Sequence, residues 1–81
     1  MTEAQIRETI FTVLGEIAPE ADPTTLAPDK DMREALNIDS FDHLNVLIGL
    51  HQALGVEIPE ADYGELTTLS GMITYLSARV G

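Results

Sequence analysis

The chain has 81 residues, of which 44% are hydrophobic, and 14 acidic side chains against 4 lysines and arginines give it a formal net charge of -10. This length suits one small domain with a thin core, and the composition is hydrophobic enough to fold. The negative charge argues against nucleic acid or anionic lipid as a partner and favours basic proteins. The absence of cysteine excludes disulfides, thiolate metal sites and cysteine nucleophiles.

The first predicted element is a helix from Glu3 to Ala18. Its apolar residues recur every three or four positions, which is the period of one helix face. Thr2 and Gln5 match a capping box, and Pro19 stops the run. The apolar residues of this face are Ile6, Ile10, Val13 or Leu14, and Ile17.

A long loop is predicted for residues 19 to 39, because three prolines and scattered apolar residues exclude a long regular element. We expect one short helical turn near Met32 to Ala35. The apolar side chains expected to pin the loop are Leu26, Met32 and Leu36.

The second predicted helix runs from Ser40 to Leu54 and ends at Gly55, a residue that commonly closes helices in a left-handed conformation. Either Asp39 or Ser40 can cap its first amides, and Asp42 places negative charge in the first turn.

After this helix come a turn at residues 56 to 59, one or two helical turns at Glu60 to Glu65, and a last helix capped by Thr68. No alternating strand pattern competes. The chain is therefore predicted to be a single all-α domain, residues 1 to 81, folded as a small antiparallel bundle of three main helices plus one short helix. The apolar residues of the last helix are Leu69, Met72, Ile73, Tyr75 and Leu76.

The second helix carries two apolar stripes, although a surface helix needs only one. Either it is buried on nearly all sides, or its second stripe contacts a partner. We expect partner contact, because so small a domain has too few helices to surround one of them. The core stripe contains Val46, Leu47, Leu50 and Leu54, the second stripe contains Phe41, Leu44 and Ile48, and the polar positions beside the second stripe are Asp42, Asn45, Gly49 and Gln52.

The serine at the start of this helix could carry three kinds of chemistry. Hydrolysis would pair Ser40 with His43, but adjacent residues on an exposed helix rarely supply an oxyanion hole or a dry pocket. We therefore expect His43 to face solvent and to be uninvolved in catalysis.

Metal binding is the second possibility. A calcium loop would need glycine and glutamate where the chain has Glu34 and Ser40, and the spacing of His43 and His51 suits no compact zinc pair. We expect no metal site and solvated loop carboxylates, namely Asp29, Asp31 and Asp39.

Covalent modification of Ser40 is the third possibility. Unpaired amides and the helix dipole favour a phosphate ester at a helix start. Asp39 and Asp42 oppose that charge, so we expect them to serve in docking a basic enzyme. A capping role alone would explain the serine but not its acidic neighbours or the adjoining apolar stripe.

The motif DSF at residues 39 to 41 resembles the Asp-Ser-Leu motif of acyl carrier proteins, in which the serine hydroxyl bears 4'-phosphopantetheine. The resemblance continues without gaps from residue 36 to residue 76. It includes LNIDS at 36 to 40, VEIP at 56 to 59 and LTTL at 66 to 69.

We expect a cytoplasmic protein, because the start of the chain lacks the pattern of a signal peptide and no apolar run approaches the length of a membrane span. The resemblance implies a monomeric carrier without catalysis of its own. A holo-acyl carrier protein synthase, or another phosphopantetheinyl transferase, would transfer the 4'-phosphopantetheine of coenzyme A to Ser40, using magnesium held by the transferase. Acyl groups would then ride as thioesters on the thiol of the arm. The expected partners are acyl ligase, ketosynthase or acyltransferase enzymes with basic docking surfaces, and neither nucleic acid nor membrane is expected.

The resemblance also assigns roles to residues around Ser40. The residues expected to dock partner enzymes are Asp39, Phe41, Asp42, Leu44, Asn45 and Ile48. The residues expected to border a space for the acyl chain are Leu47, Leu50, Leu66 and Tyr75.

Several positions depart from the family pattern. Asn37 replaces a glycine, which asparagine tolerates because it adopts left-handed geometry. Phe41 replaces leucine, and Asn45 replaces the glutamate of fatty-acid carriers. His51, Gln52 and Ala53 also stand where those carriers are often acidic.

These departures weaken the acidic surface of the second helix, so we expect a specialised freestanding acyl carrier for polyketide, lipid or modified-acyl synthesis. Two alternatives stay open at this point. One is an aminoacyl carrier, although Asp39 argues against a typical peptidyl carrier, whose motif more often has histidine there. The other is a non-carrier interaction module in which Ser40 is only a helix cap.

Overall fold

In the computed structural model, which describes residues 1–80, the chain is a helical bundle, as predicted. Its three principal helices are α1 (Glu3–Ile17), α3 (Ser40–Leu54) and α4 (Leu69–Ser77), and α3 is the predicted second helix. No strand occurs between residues 1 and 80, where the one β-type contact is an isolated bridge. None of the helices in this range has the length and apolar character needed to cross a bilayer. The elements are α1 (Glu3–Ile17), a 3₁₀ turn (Pro23–Thr25), the short α2 (Met32–Leu36), α3 (Ser40–Leu54), a 3₁₀ helix (Glu60–Leu66) and α4 (Leu69–Ser77).

Local hydrogen bonds begin and end the helices at the predicted places. Thr2 and Gln5 form the reciprocal capping box of α1. The hydroxyl of Thr68 accepts the Gly71 N–H at 2.9 Å and caps α4. Gly55 closes α3 with φ 67, in the left-handed region that favours glycine.

The segment between α1 and α3 is pinned by the predicted side chains. Leu26 and Met32 are buried, and half-buried Leu36 packs against the core. The backbone N–H of Met32 also donates to the Thr67 carbonyl at 2.8 Å, which ties the segment to the start of α4. This segment contains more regular structure than predicted, since the 3₁₀ turn at Pro23–Thr25 was not expected.

The core forms where α1 packs against α3 and α4. One prediction about this packing is wrong: Gly49 does not lie at the polar edge of the second stripe. A Cβ atom added at Gly49 would lie 2.7 Å from Cγ1 of Val13, so the missing side chain lets α3 approach α1. The fully buried core residues are Ile6, Ile10, Leu14, Met32, Val46, Leu47, Leu50, Leu66, Met72 and Leu76.

Candidate functional site

Ser40 is the first residue of α3, and its exposed side chain is not used as the cap. Asp39 has the extended backbone of a capping residue, and its Oδ1 accepts the Asp42 N–H at 2.8 Å. Within residues 1–80 the Ser40 hydroxyl has no hydrogen-bond partner. Of the two capping residues that the sequence allows, Asp39 is the one used, so Ser40 is free for another role.

A tight turn sets Ser40 beside α2. Asn37 is left-handed (φ 54), as its replacement of glycine predicts. The backbone N–H groups of Asn37 and Ile38 both donate to the Arg33 carbonyl, the second at 3.0 Å, and Ile38 is buried. The chain therefore passes from α2 to α3 in the three residues 37 to 39, and the end of α2 lies next to Ser40.

Two open crevices border Ser40. One, of about 300 Å³, lies between α3 and the 3₁₀ helix and is lined in part by Leu44 and Tyr63. The other, of about 460 Å³, lies between α2 and the start of α3 and is lined in part by Asp39. Arg33 borders both crevices. An extended group attached to Ser40 therefore has a surface on either side to lie against.

The surroundings of Ser40 also suit a phosphate ester. The backbone N–H groups of Ser40 and Phe41 have no partner within the described residues, as is usual in the first turn of a helix. Such amides and the positive end of the helix dipole stabilise a phosphate group. Across residues 1–80, no three histidine, aspartate or glutamate side chains are grouped in a way that could hold a metal ion.

The prediction that His43 faces solvent is wrong. His43 is only 8% exposed, and its Nε2 lies 2.8 Å from the carbonyl oxygen of Leu66. It occupies the core face because it precedes Val46 and Leu47 by three and four residues, a spacing that the sequence already showed. The ring hydrogen-bonds the end of the 3₁₀ helix and not Ser40, so the two side chains do not form a nucleophile and base pair.

The predicted docking residues lie at the cap of α3 and along the helix as far as Ile48. Phe41 is 68% exposed and Ile48 is 44% exposed, whereas Leu44 is half-buried at the edge of the 300 Å³ crevice. The second stripe is therefore largely uncovered, which excludes burial of α3 on all sides. The polar members of the predicted set are Asp39, which is exposed, and Asp42 and Asn45, which are half-buried.

The four residues predicted to border an acyl chain are all buried in the one core. Of the four, Leu47 alone reaches a crevice of about 170 Å³ that it shares with His51 and Ile58. A larger crevice, of about 560 Å³, lies between α1 and α4 and has none of the predicted site residues on its walls. The four residues are Leu47, Leu50, Leu66 and Tyr75.

A polar cluster that sequence reasoning missed joins α4 to the 3₁₀ helix. The Tyr75 hydroxyl donates to Oδ2 of Asp62 at 2.6 Å, and this hydrogen bond, followed by burial, raises the pKa of Tyr75. The Arg79 guanidinium lies 3.5 Å from the centre of the Tyr75 ring and donates to the Tyr75 carbonyl at 3.1 Å. The four-residue spacing of Tyr75 and Arg79 is a signal for their contact, whereas Asp62 is too distant in sequence to be inferred.

Comparisons with known proteins show the family of this chain. Residues 4–76 match the family model described as phosphopantetheine attachment site. An acyl carrier protein of Thermosynechococcus vestitus is 26% identical over 80 residues, covering 99% of this chain and 98% of the relative. An acyl carrier protein of Rubrobacter xylanophilus is 30% identical over 73 residues, covering 86% and 90%. The polyketide-8 synthase acyl carrier protein 2 of Streptomyces avermitilis is 28% identical over 81 residues, covering 100% and 87%.

The chain therefore belongs to the acyl carrier protein family, within the phosphopantetheine attachment site proteins. It is a carrier and not an enzyme, and its prosthetic group is covalently attached 4'-phosphopantetheine. Its partners include a phosphopantetheinyl transferase and the biosynthetic enzymes that load and use the carrier.

Proposed function

We propose that Ser40 carries the 4'-phosphopantetheine and that residues 1 to 81 form one specialised carrier domain of a dedicated lipid, polyketide or modified-acyl pathway. The observation that carries this proposal is the state of Ser40: an exposed hydroxyl at the first position of α3, relieved of capping by Asp39. We also propose that the carrier is a monomer and lies in the cytoplasm.

Loading exchanges a phosphoanhydride bond of coenzyme A for a phosphodiester on Ser40. The Ser40 hydroxyl oxygen forms the new bond to the phosphorus that bears the pantetheine, and the proton of the hydroxyl passes to the transferase. The anhydride bond from that phosphorus to the second phosphate breaks, and the nucleotide leaves with that second phosphate. The chain contributes an accessible nucleophile and the unpaired amides of α3 beside it. Once attached, the arm supplies the thiol that a chain without cysteine lacks.

We assign enzyme docking to the surface around Ser40. Phe41 and Ile48 offer exposed apolar area, and carboxylates on either side of Ser40 favour a basic partner. The neutral Asn45 and the large, flat ring of Phe41 are the features that favour a dedicated partner over a general one. The full proposed set is Asp39, Phe41, Asp42, Leu44, Asn45 and Ile48.

We assign shelter of the acyl chain to the space bordered by Leu47, Leu50, Leu66 and Tyr75. All four are buried and packed together, so an acyl chain would need the 3₁₀ helix to move away from α3. The hydrogen bonds from His43 to Leu66 and from Tyr75 to Asp62 hold that helix in place. Opening of this space would have to break or rearrange them.

Intact-mass measurement tests the attachment site. The purified chain, incubated with coenzyme A, magnesium and a phosphopantetheinyl transferase of broad specificity, should gain the mass of one phosphopantetheine arm. Ser40→Ala should gain nothing, whereas Ser70→Ala, at another exposed serine, should gain the same mass as the wild type. An unmodified wild type, or a modified Ser40→Ala protein, would overturn the assignment.

A further inference from the structure

Arg33 stands out among the few cations of this acidic chain because it borders both crevices beside Ser40. Its position follows from the turn into α3, whose Asn37 and Ile38 N–H groups both bond the Arg33 carbonyl. Those two hydrogen bonds fix the backbone of Arg33, and they therefore hold the base of its side chain close to Ser40.

The guanidinium of Arg33 is weakly engaged. It forms a long ion pair with Asp31, whose Oδ1 lies 3.6 Å from Nε and so beyond hydrogen-bond distance, and the Arg33 side chain is 44% exposed. The same Asp31 oxygen already accepts the backbone N–H of Arg33 at 2.9 Å. The guanidinium donates no hydrogen bond within residues 1–80, so its planar set of N–H donors is available to an anion.

The charges around Ser40 create a need for such a cation. Asp39 and Asp42 flank the serine in a chain of net charge -10, and a phosphodiester would add a further negative charge. The Arg79 guanidinium is held over Tyr75 and near Asp62 at the other end of α4, and Arg7 lines the crevice between α1 and α4. Arg33 is the cation that borders the crevices on both sides of Ser40.

We propose that Arg33 is a positioning residue for the prosthetic group, and that its guanidinium pairs with the phosphodiester formed on Ser40. Arginine suits this task because its fork of N–H donors matches two phosphate oxygens at once. The pairing offsets the repulsion from Asp39 and Asp42 and restricts the base of the arm to the crevices between α2, α3 and the 3₁₀ helix. This inference rests on the proposed attachment at Ser40.

The pairing between Arg33 and the phosphodiester is tested by measuring unfolding temperatures of variants with and without the arm. Unmodified and loaded forms are prepared for the wild type, Arg33→Gln, Arg33→Lys and Lys30→Gln, and intact mass confirms that each loaded sample carries the arm. Lys30→Gln removes the same charge from an exposed residue of the same segment, outside both crevices. The quantity compared is the change in unfolding temperature on loading.

Relative to the wild type, Arg33→Gln should make that change more unfavourable by about 2–5 °C, the size expected of one exposed ion pair in a small domain. Arg33→Lys should recover part of the difference, and Lys30→Gln should leave it unchanged. The difference should shrink when sodium chloride is raised from about 0.05 M to about 0.5 M, because salt screens exposed charges. The phosphorus resonance of the loaded protein should move in Arg33→Gln and stay in place in Lys30→Gln.

Equal changes on loading in the wild type and Arg33→Gln, with the phosphorus resonance unmoved, would overturn the role of Arg33 while leaving attachment at Ser40 intact. Equal effects of Arg33→Gln and Lys30→Gln would also overturn it, because they would reflect net charge alone. Failure of the wild type to gain the mass of the arm would instead overturn the proposed function and this inference together.

Discussion

Nε2 of His43 lies 2.8 Å from the carbonyl oxygen of Leu66, 23 residues further along the chain, and this contact joins α3 to the end of the 3₁₀ helix. The carbonyl and the ring are both buried away from water, so each gives the other a hydrogen-bond partner that it would otherwise lack. The bond thus holds in place the segment that covers one side of the core.

Replacing His43 by alanine should lower the free energy of unfolding by about 2–3 kcal/mol, because it leaves the Leu66 carbonyl unpaired and a void beside it. Urea unfolding followed by circular dichroism measures the loss. His51→Ala is the control: its Nδ1 lies 2.7 Å from the Val56 carbonyl oxygen, but the residue is exposed, so about 1 kcal/mol or less should be lost. Equal losses would contradict the structural role given to His43.

Asp39 and not Ser40 should account for the stability of the α3 cap. Asp39→Ala should cost about 1 kcal/mol, the usual value for a lost cap, whereas Asp39→Asn should cost much less. Ser40→Ala should change the free energy of unfolding by less than about 0.5 kcal/mol, because its hydroxyl bonds nothing within residues 1–80. Denaturant titration of the unmodified proteins compares the three. A loss in Ser40→Ala as large as that in Asp39→Ala would show that the serine caps the helix.

The Tyr75 to Asp62 hydrogen bond should make stability fall at alkaline pH. The bond needs the phenolic proton, and it raises the pKa of Tyr75 above the ordinary 10.0. Because the folded pKa is higher than the unfolded one, the contribution is complete below pH 10.0 and is lost as pH rises through the folded pKa.

Unfolding free energies measured at a series of alkaline pH values should therefore decline in the wild type, and this part of the decline should vanish in Tyr75→Phe. Tyr63→Phe is the matched control, since the Tyr75 bond remains, and it should keep the decline. Identical profiles for the wild type and Tyr75→Phe would refute the linkage.

Gly71 should be intolerant of a side chain. A Cβ atom added there would overlap the Glu65 carbonyl oxygen and lie 3.0 Å from Oγ1 of Thr68, the cap of α4. Gly71→Ala should therefore lower the free energy of unfolding by about 1–3 kcal/mol. Nothing lies within 4 Å of a Cβ added at Gly15 in α1, so Gly15→Ala should raise it by about 0.5–1 kcal/mol through better helix propensity. The same sign for both changes would contradict this packing.

The exposed apolar residues of α3 should matter for loading and not for stability. Phe41→Ser or Ile48→Ser should reduce kcat/KM of the transferase by about tenfold, a loss of about 1.4 kcal/mol in transition-state binding. Circular dichroism and thermal unfolding should stay close to wild type, because both side chains are exposed. Ala53→Ser, at another exposed position of α3, should load normally. Unchanged loading of the Phe41 and Ile48 variants would remove them from the docking surface.

Much of this protein is determined locally and can be read from its sequence. The period of the apolar residues predicts α1, α3 and α4, and the caps at Thr2, Thr68 and Gly55 mark their ends. Helix periods and caps depend on residues a few positions apart, which is why they need no knowledge of the fold. The motif at residues 39 to 41 also predicts, without any structure, that Ser40 is the attachment site.

What only the tertiary structure decided depends on groups far apart in the chain. His43 is buried because the Leu66 carbonyl lies opposite its ring, and Asp62 meets Tyr75 only when the 3₁₀ helix folds over α4. Gly49 proved to be a packing position because α1 crosses there. The choice of Asp39 over Ser40 as the cap was open in the sequence, since either side chain reaches the first amides, and the backbone geometry at the start of α3 settled it in favour of Asp39.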